Sequence, residues 1–163
     1  MFKKILIIHG PMAAGKSTIT SKLNEKLKEY IFVDRAYIKD IMLGKLREKN
    51  PKLARQISKD AMFTIMKDLM KDKQNILLQE IRVSSVKKHL KKELKDYEII
   101  SFYLDCSLKT ALKRDTTRQT KYKRPLTVKE MHKNHAYPDD GDIIINTEKN
   151  TINQTIKLIL KEL

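Results

Sequence analysis

Five short runs of apolar and β-branched residues alternate with helical patterns, and this alternation constrains the fold more than any other feature. The runs occupy residues 3–9, 31–34, 75–81, 98–105 and 142–147. Strands separated by helix-length segments are joined by right-handed crossovers, which makes neighbouring strands parallel. The sequence therefore predicts an α/β fold, with a five-stranded parallel sheet between two helical layers and a ligand site at the carboxyl ends of the strands.

The residues after the first run match the phosphate-binding pattern G-x-x-x-x-G-K-[ST], here GPMAAGKS at residues 10–17. Two of the chain's four glycines stand at its required positions, where a sharp turn presents backbone N–H groups to phosphate. We expect Lys16 to reach the β- and γ-phosphates and the Ser17 hydroxyl to hold Mg²⁺. The motif predicts binding of a nucleoside triphosphate such as ATP. The predicted contacts are Gly10, Met12, Ala13, Ala14, Gly15, Lys16, Ser17 and Thr18.

The alternative is a chance match in a glycine-containing turn. However, Ile19, Leu23 and Leu27 recur at a spacing of four residues after the motif, with charged residues between them. This pattern predicts one apolar stripe on a charged helix. Strand, loop and helix therefore follow in the order that the motif requires.

Length and composition narrow the class of protein. The 163 residues suit one domain spanning residues 1–163, without linker, repeat or low-complexity block. The first residues lead directly into the motif strand, so we expect neither a signal peptide nor a membrane span. Cys106 is the single cysteine; it cannot form an internal disulfide, should fill space at a strand end, and fits a reducing cytoplasm. The net charge of +15 would attract polyanions. The charge alone does not decide whether it serves nucleotide binding, nucleic-acid binding or solubility.

Two helices are predicted between the second and third runs, over residues 36–48 and 52–72, with a break at Asn50-Pro51. In the second, Met62, Met66 and Met70 fall on one face, which indicates core packing; a substrate-facing surface is the alternative. Further along, Ser107 should cap a helix that runs from near Leu108 towards Gln119. The capping-box form of Thr127-Val128-Lys129-Glu130 predicts the start of another helix.

Carboxylates near the motif are candidates for the chemistry of a hydroxyl acceptor. Asp34 ends the second run, at the same sheet edge as the motif. It could accept the proton of a hydroxyl group, or cap the helix that begins near Ala36, and the two roles are compatible. Asp40, in the helix that follows, is a weaker candidate than Asp34 for the same role. Glu80 could position Mg²⁺ through water or contact the acceptor.

Basic residues form a second set of candidates. Arg82 could bind an acceptor phosphate, or form an ordinary ion pair with Glu80. Arg114 and Arg118 stand one helical turn apart, where they could close over the triphosphate or simply complement the helix dipole. His132 and His135 lack a carboxylate or cysteine at ligand spacing, so no zinc site is expected.

Together these segments resemble the small P-loop kinase group, which includes the kinase domain of 5′-polynucleotide kinase, the zeta-toxin-like kinases and the chloramphenicol phosphotransferases. The resemblance covers nearly the whole chain. It is carried by GPMAAGKST, VDRAYIKDIM, SLKTALKRDTTRQTKYKRPLTVKEM and GDIIINTEKNTINQTIKLILKEL.

The resemblance implies a three-layer P-loop NTPase fold with sheet order 2-3-1-4-5 and adenine near Asn146 and Thr147. It also implies catalytic roles for Lys16, Asp34, Arg114 and Arg118, with a lid over approximately residues 114–128. Aligning the polynucleotide kinases places their catalytic aspartate opposite Arg35. The pair Glu80 and Arg82 looks more like the third-strand segment of the zeta-type kinases, which phosphorylate a small nucleotide-sugar. Arg35, Glu80 and Arg82 are thus candidate substrate-binding residues.

The sequence favours an ATP- and Mg²⁺-dependent kinase acting on the hydroxyl of a nucleic acid 5′ end or of a nucleotide-like small molecule. One alternative is an ATPase or nucleotide-binding switch that acts on a protein or nucleic-acid partner. Another is a nucleic-acid-binding module with a vestigial motif. Acceptor-independent hydrolysis would indicate the ATPase, and strongly salt-dependent nucleic-acid binding that ATP does not alter would indicate the module.

Overall fold

The computed structural model describes residues 2–79, 82–117, 125–135 and 137–163. The strands are β1 (Lys3–His9), β2 (Tyr30–Asp34), β3 (Asn75–Gln79), β4 (Tyr97–Asp105) and β5 (Ile143–Asn146). The helices are α1 (Lys16–Lys26), α2 (Arg35–Tyr37), α3 (Gly44–Lys49), α4 (Pro51–Lys71), α5 (Val83–Leu90), α6 (Leu108–Thr116), α7 (Pro125–His135) and α8 (Ile152–Lys161). A π-helical turn (Ile38–Met42) follows α2, and a 3₁₀ turn (Glu93–Asp96) precedes β4.

The strands form one parallel sheet in the order β2-β3-β1-β4-β5. This order confirms the predicted fold class and the strand order implied by the resemblance. The register aligns Ile8 of β1 with Gln79 of β3, and Gln79 with Asp34 of β2. The last residues of β2 and β3 therefore lie beside the end of β1, where the phosphate-binding motif begins.

The core has two layers because β1 is buried on both faces of the sheet. Leu6 and Ile8 pack on the face covered by α1 and α8, whereas Ile5 and Ile7 pack on the face covered by α4 and α5. Each fully buried side chain of this size contributes about 1.5–3 kcal/mol to folding. The continuous apolar run of β1 is thus what a central parallel strand needs.

The methionine face of α4 lies in the second core layer. Met62, Met66 and Met70 are all buried there. The prediction that they pack in the core is confirmed.

Capping residues explain where several helices begin. The Asn50 side chain accepts a hydrogen bond from the Leu53 N–H at 3.1 Å, and Pro51 then starts α4, as the predicted break requires. The Ser107 hydroxyl accepts from the Thr110 N–H at 3.2 Å, which confirms it as the cap of α6. α6 itself ends at Thr116, and residues 118–124 lie outside the described part of the chain.

Other predicted boundaries were wrong. The helix predicted over residues 36–48 is divided into α2, the π-helical turn and α3. α7 (Pro125–His135) already contains Thr127, so the helix start predicted at the capping box is wrong. β3 is described to Gln79 only, since residues 80–81 lie outside the described ranges. Among the described residues, no helix is both long and apolar enough to cross a membrane.

Candidate nucleotide and acceptor site

The phosphate loop, residues 10–17, connects β1 to α1 through three residues with positive φ. These are Gly10 (137°), Ala13 (64°) and Gly15 (95°). A Cβ atom on Gly10 would collide with the backbone carbonyl oxygen of Leu104 in β4, so glycine is required there by space as well as by φ. The loop therefore has the tight backbone turn that the motif predicts.

Lys16 is the first residue of α1, and its ammonium group folds back over the loop. Its Nζ donates hydrogen bonds to the carbonyl oxygens of Gly10 at 3.1 Å and Pro11 at 2.8 Å. The side chain is buried, whereas Ser17 and Thr18 are exposed beside it. A positive charge thus lies within the curve of the loop at the positive end of the α1 dipole, and both features favour an anion.

Asp34 lies at the carboxyl end of β2, and both of its carboxylate oxygens accept hydrogen bonds. Its Oδ1 accepts from the Ala36 N–H at 2.7 Å, which confirms the capping role at the start of α2. Its Oδ2 accepts from Nε2 of Gln79 at 3.2 Å. The carboxylate is therefore held in a fixed orientation by one backbone and one side-chain donor.

Gln79 connects Asp34 to the helix that follows the phosphate loop. It is buried at the end of β3, and its Oε1 accepts a hydrogen bond from the Thr20 hydroxyl on α1. We call the linked side chains of Thr20, Gln79 and Asp34 the Asp34 bridge. Sequence reasoning missed its first two members, although a polar residue that ends an apolar strand beside the motif was a usable signal.

Arg82 stands at the N-terminus of α5 and pairs with Asp139. Its Nε donates to Oδ1 of Asp139 at 2.9 Å, its Nη2 donates to the same oxygen, and its guanidinium carbon lies 4.4 Å from the Tyr137 ring centroid. Partial burial opposes ionisation of Asp139, but hydrogen bonds from Arg82 and Ser84 outweigh it, so the pKa of this carboxyl lies below its usual range. Glu80 lies outside the described residues. A phosphate bound by Arg82 would compete with a carboxylate already in place.

Arg114 contacts the turn after β5, where the resemblance places adenine. Its Nη1 donates to the Thr147 hydroxyl at 2.9 Å, and its Nη2 donates to the Thr147 carbonyl at 2.7 Å. The Thr147 N–H in turn donates to the carbonyl oxygen of Asp105 at 2.8 Å. Oδ1 of Asn146 accepts from the N–H groups of the two residues after Thr147, at 2.9 and 3.0 Å. Arg114 and Thr147, predicted for different roles, therefore lie together.

The remaining residues singled out from the sequence lie in different parts of the structure. Arg35 is half-buried as the first residue of α2, and Asp40 pairs with Arg47 at 3.1 Å on the π-helical turn. Cys106 is buried after β4, as expected of a space-filling residue, and burial raises the pKa of its thiol. Arg118 and much of the predicted lid lie outside the described residues. Within the described part of the chain, no three His, Cys, Asp or Glu side chains are grouped to hold a metal ion.

The sheet order and the phosphate loop together define a P-loop nucleotide-binding fold of the kind found in small kinases. No family model matches the chain, and no curated protein matches it. Solved structures do. A candidate kinase from Chloroflexus aurantiacus superposes with a TM-score of 0.74 at 14% identity, over 100% of both chains.

Two further structures illustrate how widely this fold is used. A gluconokinase from Sinorhizobium meliloti has a TM-score of 0.68 at 12% identity, over 98% of this chain and 91% of its own. A chain of the Pnkp1/Rnl/Hen1 RNA repair complex has a TM-score of 0.65 at 15% identity, over 99% of this chain and 46% of its own. At these identities the similarity shows a shared fold, and the substrate of this protein has to be argued from its own residues.

Proposed function

We propose that this protein is an ATP- and Mg²⁺-dependent kinase that transfers the γ-phosphoryl group to a hydroxyl acceptor at Asp34. The observation that carries the proposal is the Asp34 bridge, because it fixes a carboxylate relative to the helix of the phosphate loop. A kinase must orient an acceptor oxygen in line with the phosphoryl group, and a fixed carboxylate near the phosphate loop can supply that orientation.

The residues of the phosphate loop fit a triphosphate. The backbone N–H groups of the loop and Lys16 would bind its phosphate oxygens, while Asn146 and Thr147 would lie near the base. Mg²⁺ is commonly held in such sites by one or two protein oxygens together with substrate phosphates, so the exposed Ser17 hydroxyl is a suitable ligand. The ion would neutralise charge on the phosphate oxygens. Arg114 and Arg118 would add positive charge over the nucleotide.

Asp34 can act as a base while it caps α2. Each carboxylate oxygen has two lone pairs, so the hydrogen bonds from Ala36 and Gln79 are compatible with a third, from an acceptor hydroxyl. In the transfer step the acceptor oxygen bonds to the γ-phosphorus, and the bond from that phosphorus to its bridging oxygen breaks. The hydroxyl proton goes to Asp34, and ADP leaves.

The acceptor is proposed to be a nucleic acid 5′ end or a nucleotide-like small molecule, with Arg35, Glu80 and Arg82 on the acceptor side. The net charge of +15 supports a polyanionic acceptor. The structural neighbours include both a gluconokinase and a chain of an RNA repair complex, so the fold is compatible with a small-molecule or a nucleic-acid acceptor.

The decisive experiment incubates the protein with γ-labelled ATP, Mg²⁺ and a 5′-hydroxyl oligonucleotide, and counts free phosphate in the same tube. Label on the oligonucleotide would establish both the kinase and this acceptor class. If the oligonucleotide carries no label and little free phosphate is released, the kinase proposal stands and the acceptor must be sought among small molecules. Rapid release of phosphate without a labelled product would overturn the proposal in favour of an ATPase.

A further inference from the structure

An apolar groove lies along the outer edge of β2, which is an edge strand of the sheet. Its volume is about 480 Å³, and it is lined by residues 31–34 of β2, by Tyr37 and Ile38 after the strand, and by Ile65 and Leu69 of α4. We call this the β2 groove. Asp34 belongs to its lining, so the groove is continuous with the proposed acceptor site.

Large apolar side chains around the β2 groove are exposed to solvent. The exposed fraction is 57% for Tyr37 and 42% for each of Ile31 and Ile65. Clusters of exposed apolar side chains on a highly charged protein mark binding surfaces. A volume of this size also falls in the range of about 300–1,000 Å³ that is typical of small-molecule sites.

The charge of the groove contrasts with that of the chain. Although the protein has 35 lysines and arginines, Asp34 is the one charged residue among the described residues that line the groove. A phosphate group that entered the groove would give up hydration against a mostly apolar lining. The described lining therefore favours a neutral, apolar ligand.

We propose that the β2 groove binds the body of the acceptor, and that the acceptor is an uncharged alcohol with an aromatic or apolar body. This inference rests on the proposed function, since it places the reacting hydroxyl at Asp34. It goes beyond the proposed acceptor classes: the uncharged base and sugar of a nucleoside-like molecule fit the groove, whereas the phosphate of a nucleotide and the phosphodiester chain of a nucleic acid do not.

Phosphoryl transfer to two probe alcohols tests the selectivity. Naphthalenemethanol is a neutral aromatic primary alcohol, and glycerol phosphate is an anionic primary alcohol without an apolar body. We expect kcat/KM for naphthalenemethanol to exceed that for glycerol phosphate at least ten-fold. Ile65→Asp should lower the former at least ten-fold without changing the Kd of ATP, because it puts a charge in the groove. The matched control is Ile57→Asp, which changes an exposed isoleucine of α4 outside the groove lining.

Methyl NMR tests binding without requiring turnover. In protein labelled at isoleucine methyls and saturated with ADP, naphthalenemethanol should shift the Ile38 and Ile65 signals but not that of Ile144, an exposed residue on β5 at the opposite sheet edge. Unshifted groove methyls, equal shifts at Ile144, or better transfer to glycerol phosphate or an oligonucleotide would overturn the inference. So would a dimer that Ile65→Asp dissociates, since a second copy would then occupy the groove. A different result would separate the two proposals. If free phosphate forms without any phosphorylated alcohol while the groove methyl signals still shift, the proposed kinase activity is wrong, but the groove remains a binding site for neutral alcohols.

Discussion

The phosphate loop is built from one contiguous stretch of eight residues, whereas the Asp34 bridge joins side chains from three separate segments. In the loop, the backbone conformation of Gly10, Ala13 and Gly15 and the position of Lys16 are set almost entirely within residues 10–17. On the acceptor side, Thr20, Gln79 and Asp34 come from α1, β3 and β2. A site for a common nucleotide can thus be specified locally, while the acceptor side depends on how the strands are paired.

The largest effect should come from Lys16→Ala. The variant removes the positive charge that the loop holds beside Gly10 and Pro11, and we expect kcat to fall about 10³-fold, because preorganised donors at the phosphates contribute most to transfer. Lys22→Ala, an exposed lysine of the same helix, is the matched control and should retain full activity. Turnover of Lys16→Ala within a few-fold of the unchanged protein would remove the phosphate loop from the mechanism.

A comparable loss is expected for Asp34→Asn, but without loss of stability. Asparagine caps a helix as well as aspartate does, so the free energy of unfolding should be nearly unchanged, whereas the lost base should lower kcat about 10²–10³-fold. Asp34→Ala should lose the same activity and about 1 kcal/mol of stability as well. Chemical denaturation and transfer assays on both variants separate the two roles. If Asp34→Asn keeps its activity, Asp34 is a cap alone.

The contrast between the two regions also explains what the sequence could predict. The motif and the apolar stripe of the helix after it follow from neighbouring residues, and both were predicted. The Asp34 bridge was not, because it depends on the register that sets Asp34 beside Gln79, 45 residues further along the chain. The pairing of Arg82 with Asp139 was missed for the same reason, since 57 residues separate them.

Two helix predictions were wrong for a different physical reason. Residues 127–130 have the form of a capping box but lie within α7 (Pro125–His135), and the segment after Asp34 forms a short helix and a π-helical turn where one helix was predicted. Local propensities differ by a few tenths of a kcal/mol at such positions, and packing against the rest of the fold decides between them. Sequence patterns therefore identified the helices more reliably than their first residues.

Two glycines test whether the phosphate loop depends on its backbone. Gly10→Ala should reduce the free energy of unfolding by roughly 2–4 kcal/mol, because its Cβ meets the Leu104 carbonyl at a positive φ. Gly44→Ala is the control: in α3 a Cβ meets no atom within 4 Å, so the variant should be slightly more stable, by about 0.5–1 kcal/mol. Denaturant unfolding of both variants measures the difference. Equal stabilities would show that the loop tolerates a side chain at its first residue.

The smallest effect, and the one that most sharpens the comparison, is expected at Gln79. Gln79→Met keeps the length of the side chain but removes both of its hydrogen bonds, to Asp34 and from Thr20. We expect kcat to fall about ten-fold, since one hydrogen bond to a charged group contributes about 1.5 kcal/mol, while the Kd of ATP stays unchanged.

A purely structural role for Gln79 predicts a different pattern. In that case Gln79→Met would reduce stability and weaken ATP binding together. Thr20→Val, which removes the far end of the bridge together with the contacts of this hydroxyl to the Lys16 and Ser17 carbonyl oxygens, would behave in the same way. If Gln79 instead positions Asp34, Thr20→Val should have a smaller effect on kcat than Gln79→Met, because the amide can still donate to the carboxylate. Gln79→Glu separates the cases further. The substitution conserves the size of the side chain, but the new carboxylate repels the Asp34 carboxylate and cannot donate the hydrogen bond that the Gln79 amide donates. If kcat is lower for Gln79→Glu than for Gln79→Met while both variants bind ATP equally well, Asp34 depends on a hydrogen-bond donor at position 79. The pairing of β2 with β3 places that donor beside Asp34.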